Sequence, residues 1–318
     1  DCIGLIHGAF DTMPGPGLQR RAKDSRSRAM NSIAKIDSAP PTAWTFAQPG
    51  AVKIGSDAHK TMFCRMLLDT FDPYKPEVID WPKLAPDALA RLTSLPFWTV
   101  AVETEDRASA NITAFAQGIT DPLLREALDL MAYEEARHRR VLAALVDSYG
   151  IKLDHVPPYT AGARPQWNYM STGYGECLDS FFAFGLFELA KRSGYFPPEL
   201  VETFEPVIQE EARHIVFFVN WAAYTQANAA LLAKPVFAAK RLALLGLNGL
   251  SRLGIATDSD EQFASQGKDA VGVDIELGPF MDLCLAENDR RMGHLDPRLL
   301  RPTIMPTLVR FARRFMPR

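Results

Sequence analysis

The chain has 318 residues and a formal net charge of −3, with 35 basic and 38 acidic side chains interspersed along it. That balance gives no electrostatic case for a nucleic-acid partner, and the length favours one enlarged domain with a sizeable core over two full ones. Cys2, Cys64, Cys177 and Cys284 are too few and too scattered for a disulfide framework or a Cys-x-x-Cys metal site, which fits a reducing cytoplasm.

Residues 1 to about 58 are rich in Gly, Pro, Ser and basic residues and read as an irregular arm without a charged-then-apolar leader. His59 to Phe71 has helical apolar spacing, and the proline-rich stretch Asp72–Leu84 connects it to a short helix near Asp87–Leu92. Two long helical hairpins follow. Their first helix, about 96–117, carries Trp98, Ala101, Val102, Glu105, Ala108, Ile112 and Phe115 at three-and-four spacing and stops at Gly118. In the second, Asp121 is the N-cap, Pro122 the first helical position, and Gly150 follows the last turn. The third spans about 172–193 and stops at Gly194, and the fourth opens at Pro197–Pro198 and runs past Trp221.

Ile215 to Ala233 contains no charged residue, but Asn220, Thr225, Gln226 and Asn228 interrupt it, so a buried helix is expected rather than a membrane span. Further helices at about 235–253, 273–291 and 297–315 brace the rest, and no strand pattern of convincing length occurs. Lys234, Lys240, Arg241 and Arg252 punctuate the first of these, read as a scaffold helix with a solvated edge in preference to one lying on a membrane. The expected fold is all-α: an arm with short helices over 1–94, a four-helix bundle over 95–227 and bracing helices over 228–318, in one compact unit.

Glu-Glu-Ala-Arg-His occurs twice, at 134–138 and 210–214. Glu135 and His138 are three apart, as are Glu211 and His214, so each pair lies on one helix face and offers one oxygen and one nitrogen. A site for two metal ions also needs a carboxylate from each remaining helix, because four anionic oxygens balance two divalent ions. On the first helix Glu105 shares the apolar stripe, whereas Glu103 is rotated from it by about 160°, and hairpin register puts position 104 opposite Glu135. On the third helix the register puts position 178 opposite Glu211, so Glu176 and Asp179 both fit the height, and Glu188 misses by about 15 Å of helix rise. Glu176 is preferred for its longer reach, with Asp179 its rival. Ser180 and Ala183 on the same stripe would leave a cavity walled by Phe181, Phe182, Phe184 and Phe187.

Glu134 and Glu210 stand beside the ligands and are placed to fix the ring tautomers of the opposite histidines, with Arg137 and Arg213 pairing those acids. The competing reading of these four is a solvated salt-bridge face. His7, His59, His155 and His294 are isolated and read as surface or structural histidines.

This order, Glu, then Glu-Glu-x-Arg-His, then Glu, then Glu-Glu-x-Arg-His, resembles the ferritin-like di-iron carboxylate proteins, over residues of about 100–220. These include multicomponent monooxygenases, ribonucleotide reductase small subunits, acyl-carrier-protein desaturases and rubrerythrins. The resemblance implies two iron ions bridged by Glu135 and Glu211, with manganese or a mixed pair as alternatives, and O₂ activation on an apolar or partly apolar organic substrate. It implies a proton-delivering role for Ser180, one turn after Glu176, where the monooxygenases carry a hydroxyl residue. Leu142 stands where radical-forming reductase subunits carry tyrosine, and no Cys-x-x-Cys pair exists for a rubredoxin-type iron, so an external electron donor is expected. The other partners expected are O₂, the small substrate and, in a homodimer, a second copy. A ferroxidase or peroxide scavenger without an organic substrate is the alternative, followed by an interaction module with a vestigial site.

Overall fold

The computed structural model describes residues 43–95, 98–155, 157–252 and 276–316. Among them the extended elements are all helices: α1 (Asp57–Asp69), α2 (Pro86–Ser94), α3 (Trp98–Ala116), α4 (Pro122–Ser148), α5 (Pro165–Ser193), α6 (Pro198–Glu202), α7 (Glu205–Asn228), α8 (Ala233–Arg252), α9 (Leu277–Gly293) and α10 (Ile304–Ala312). No strand forms among the described residues, and Trp44 makes an isolated bridge to Leu295. Most of the expected arm, with Cys2 and His7, lies outside the described residues, as do 96–97 of the first expected hairpin helix and 273–275 ahead of α9.

Local chemistry sets the helix ends. The Asp121 carboxylate accepts the Leu124 amide at 2.9 Å, Pro122 occupies a position whose N–H has no intrahelical partner, and Gly150 turns out of α4 with φ of 65°. Three boundaries differ from the sequence expectation. Helix α5 begins at Pro165, well before 172, because Gly173 does not break it; a Cβ there would overlap the ring of Phe218, so this glycine serves close helix packing. The fourth expected helix is divided into α6 and α7, since Pro206 lacks the N–H that would continue the first turn of α6 into α7. Likewise 297–303 is not helical, and α10 covers only Ile304–Ala312.

Helices α3 and α4 pair along their length, α5 lies against α3, α7, α8 and α9, and α1 lies across α4 and α7. One large apolar cluster joins Phe63, Ile112, Phe115, Leu128, Tyr169 and Trp221, with Phe115 and Tyr169 stacked at 4.5 Å. A second joins Leu92, Trp98, Leu145 and Leu200. Along α4 the first cluster ends near Ala132 and the second begins near Leu142, so residues 134–138 form a polar layer between two apolar ones. The uncharged run in α7 is buried through Ile215, Phe217, Phe218 and Trp221, and no described helix is long and apolar enough to cross a membrane.

Candidate metal centre

The polar layer draws on four helices. Glu105 comes from α3, Glu134, Glu135, Arg137 and His138 from α4, Glu176 from α5, and Glu210, Glu211, Arg213 and His214 from α7. Ligand atoms of Glu105, Glu135, His138 and Glu211 lie within 4.8 Å of one another, and all four residues are buried. Nδ1 of His138 is 3.1 Å from Glu211 Oε1, 3.5 Å from Glu105 Oε2 and 3.9 Å from Glu135 Oε2. The second half of the layer is built on His214, whose Nδ1 is 2.8 Å from Glu135 Oε1. Glu135 therefore turns one oxygen towards each histidine, and the two rings sit 5.6 Å apart.

Both Nδ1 atoms and Glu135 Oε1 are buried without a hydrogen-bond partner despite these short distances. Lone pairs and carboxylate oxygens thus converge on shared points in place of pairing with each other, as ligand atoms around a cation do. Glu176 joins this set. Both its carboxylate oxygens are buried and unpartnered, and burial together with the charges of Glu135 and Glu211 pushes its pKa well above the usual carboxylate range. Asp179 is buried too but has an interaction of its own.

The opposite ring nitrogens are held by a second circuit. Nε2 of His138 meets Glu210 Oε2 at 2.8 Å, and Nε2 of His214 meets Glu134 Oε2 at 2.8 Å. Because a carboxylate only accepts, each contact keeps the ring proton on Nε2 and turns the Nδ1 lone pair into the cluster. Arg137 donates to Glu210 Oε1 at 2.5 Å, and Arg213 donates to Glu134 Oε1 at 3.1 Å through two nitrogens. All four residues are buried, so the solvated salt-bridge face is not what forms. Glu134 and Glu210 are neutralised by these arginines, whereas Glu105, Glu135, Glu176 and Glu211 have no Lys or Arg partner among the described residues.

The titration behaviour follows from that arrangement. Burial and the neighbouring Glu211 charge push Glu135 up to about 8. Burial opposes charge on both imidazoles, yet the carboxylates around them prevail: Glu105, Glu210 and Glu211 hold His138, and Glu135 and Glu134 hold His214, well above the usual histidine value. Burial likewise opposes charge on Glu105 and Glu134, but His138 keeps the first and His214 with Arg213 the second below the ordinary carboxylate value. Each histidine site favours a cation at Nδ1, either a proton or a metal.

Several supporting groups are not evident from the sequence. Arg213 also donates to the Thr70 hydroxyl and the Leu67 carbonyl, each at 2.8 Å, and Arg137 to the carbonyls of Asp72 at 2.6 Å and Tyr74 at 3.2 Å. The Tyr74 hydroxyl donates to Glu210 Oε2 at 3.3 Å, and its ring lies 3.9 Å from the Arg137 guanidinium. The only sequence signal is indirect: a buried guanidinium has five N–H donors, more than one carboxylate satisfies. Tyr169, two turns before Glu176 on α5, buries its hydroxyl without a partner.

A cavity of about 200 Å³ reaches Glu176, lined by Thr104, Ala108, Asn111, Tyr159, Trp167 and Thr172 among others. Its wall carries a hydrogen-bond chain in which Tyr159 donates to Asn111 at 3.0 Å and Asn111 to Thr172 at 3.1 Å. Helices α9 and α10 cover the face of α5 that carries Phe181, burying it with Cys284 and Val309, and Ser180 is buried as well. Glu103 lines a separate surface cavity of about 460 Å³ with Asp106 and Arg139. His59 pairs with Asn220 at 3.0 Å, and His294 lies near Gln209, away from the cluster.

Compared with family models, curated proteins and solved structures, the chain matches none.

Proposed function

We propose that this layer binds two metal ions, iron by preference, within a ferritin-like four-helix arrangement of α3, α4, α5 and α7, and that the chain is an O₂-dependent non-haem di-iron oxidase or oxygenase. The observation that carries the reading is the charge balance of the layer. Four buried carboxylates lack a Lys or Arg partner, while each of the two acids beside them pairs with an arginine. Two divalent cations neutralise four carboxylates, and the donor set of carboxylate oxygens and imidazole nitrogens suits iron or manganese. Without metal the layer meets this charge by favouring protons on Glu135, Glu176 and both histidines, and two divalent cations can take the place of those protons.

Glu105, Glu135, Glu211 and His138 would hold one ion, and Glu135, Glu176 and His214 the other, with Glu135 placed to bridge. A bound ferrous pair supplies electrons to O₂. The chain fixes both imidazole tautomers through Glu134 and Glu210, screens the layer from water between two apolar clusters, and admits solutes beside Glu176. The lining of that cavity suits a small, partly apolar substrate with hydrogen-bonding groups. Ser180 is proposed as a proton carrier on the strength of its place one turn after Glu176. An external reductant is required.

The same polar lining also favours a second reading, a ferroxidase or peroxide-scavenging protein without an organic substrate. Mixing anaerobically iron(II)-loaded protein with O₂ tests both. Rapid oxidation with a new visible absorption supports a redox di-iron centre, and dependence of reductant consumption on an added organic compound separates oxygenase from ferroxidase. Iron(II) that binds but fails to react with O₂ would count against both.

A further inference from the structure

Helix α8 has two contrasting faces. Inward, Phe237 and Leu244 are buried, Arg241 donates to the Tyr174 hydroxyl at 2.7 Å, and Asn248 reaches the Ser171 carbonyl at 3.4 Å. Outward, at 100° per residue, Val236, Ala239, Ala243, Gly246 and Leu250 form a single line with the three-four spacing of a helix-pairing seam, and Leu232 lies in the turn just before the helix. Leu231, Leu242 and Leu247 flank it. Leu232 is 87% exposed, Leu242 73% and Val236 55%, and a Cβ at Gly246 would meet nothing within 4 Å. The exposed Leu and Val side chains of this face present on the order of 700 Å², near the ~800 Å² each partner gives to a stable interface.

We propose that this face is where two copies of the chain associate, with their α8 helices antiparallel about a twofold axis level with position 241. The seam is its own complement in that register. Val236 meets the partner's Gly246, Ala239 meets the partner's Ala243, and Leu250 comes level with the turn that holds the partner's Leu232, so the large side chain at 236 opposes an absent one and the small central pair lets the helix axes approach.

Charge selects the orientation. Helix α8 carries Lys234, Lys240, Arg241 and Arg252 and no acidic residue. Parallel pairing would set Lys240 against the partner's Lys240. Antiparallel pairing sets it level with the partner's Leu242, and Lys234 level with the partner's Asn248. A lipid surface would be served by large side chains throughout and gains nothing from three small residues at the centre of the face. Asn248 also lines the cavity that reaches Glu176, so association would brace one wall of that cavity.

The test is the solution mass of the full chain by sedimentation across a dilution series. The wild type should be a dimer. Gly246→Leu favours the helix and meets open space within one copy, so it should retain the wild-type circular dichroism and melting profile while becoming monomeric. Under mild oxidation, Ala239→Cys mixed with Ala243→Cys should cross-link into a heterodimer, with neither alone doing so comparably. A monomeric wild type overturns the proposal. If that monomer co-sediments with phosphatidylglycerol vesicles the face belongs to lipid, and if it does not the face is left to a segment of the same chain outside the described residues. A dimer that survives Gly246→Leu, or that cross-links equally through Ala239→Cys alone, overturns it as well.

Discussion

Glu210 serves two buried partners at once, which makes its replacement a sharp test of the outer circuit. Its carboxylate takes Arg137 at 2.5 Å on one oxygen and His138 Nε2 at 2.8 Å on the other. Glu210→Ala leaves the buried Arg137 without its counter-charge, a change that costs about 3–5 kcal/mol in such pairs. Glu210→Gln keeps the volume and one acceptor. With its amide oxygen turned to Arg137, its NH₂ faces His138 Nε2 and draws the ring lone pair there, which moves the ring proton to Nδ1 and blocks the nitrogen that faces the cluster. Loss of the hydrogen bond to a charged group should lower stability by about 1.5–3 kcal/mol, while metal affinity falls about 10–100-fold. Cobalt(II) titration followed by visible absorption, with thermal unfolding of the metal-free samples, measures the two effects separately. The glutamine variant should be the more stable of the two and still bind cobalt poorly. Wild-type affinity in Glu210→Gln would refute the tautomer argument.

Metal binding should tighten as pH rises. Glu135, held up to about 8, and the two histidines with raised pKa values must give up protons to a metal. Metal-free protein should show the opposite trend, because raised folded-state values mean that stability falls as pH climbs from about 4.5 through about 8; competition titrations and melts between these limits check both. Glu176→Ala should lose about half of the bound metal and Asp179→Ala should keep all of it, as measured by metal analysis after dialysis; the reverse outcome would reassign the α5 ligand. Gly173→Ala should lower stability by about 1–3 kcal/mol in chemical denaturation, because the new methyl overlaps the Phe218 ring between α5 and α7.

The grouping of Glu135, His138, Glu211 and His214 was readable because three-residue spacing needs only helix periodicity. Glu105 could be selected over Glu103 because the short connection between α3 and α4 fixes their relative heights. Glu176 could be ranked above Asp179 only on its reach, since both lie near the same height and differ in direction, which the packing of α5 against α3, α7, α8 and α9 decides. The break between α6 and α7 was foreseeable from Pro206, whereas the early start of α5 was masked by Gly173, whose partner is 45 residues away in Phe218. Gly185 brings Cys284 of α9 close enough that a Cβ would overlap its sulfur, and that contact covers the phenylalanine face. Thr70 and Tyr74 complete the arginine circuit only because α1 crosses α4 and α7, a long-range docking with no local signature.

The proposed centre requires two ions per chain. Full-length protein loaded anaerobically with iron(II), freed of excess metal and analysed by plasma emission alongside protein concentration, should hold about two irons per chain. Glu135→Ala, which removes the carboxylate that faces both histidines, should hold fewer than one. A wild type that retains less than one iron, or a Glu135→Ala protein that retains two, would contradict the account.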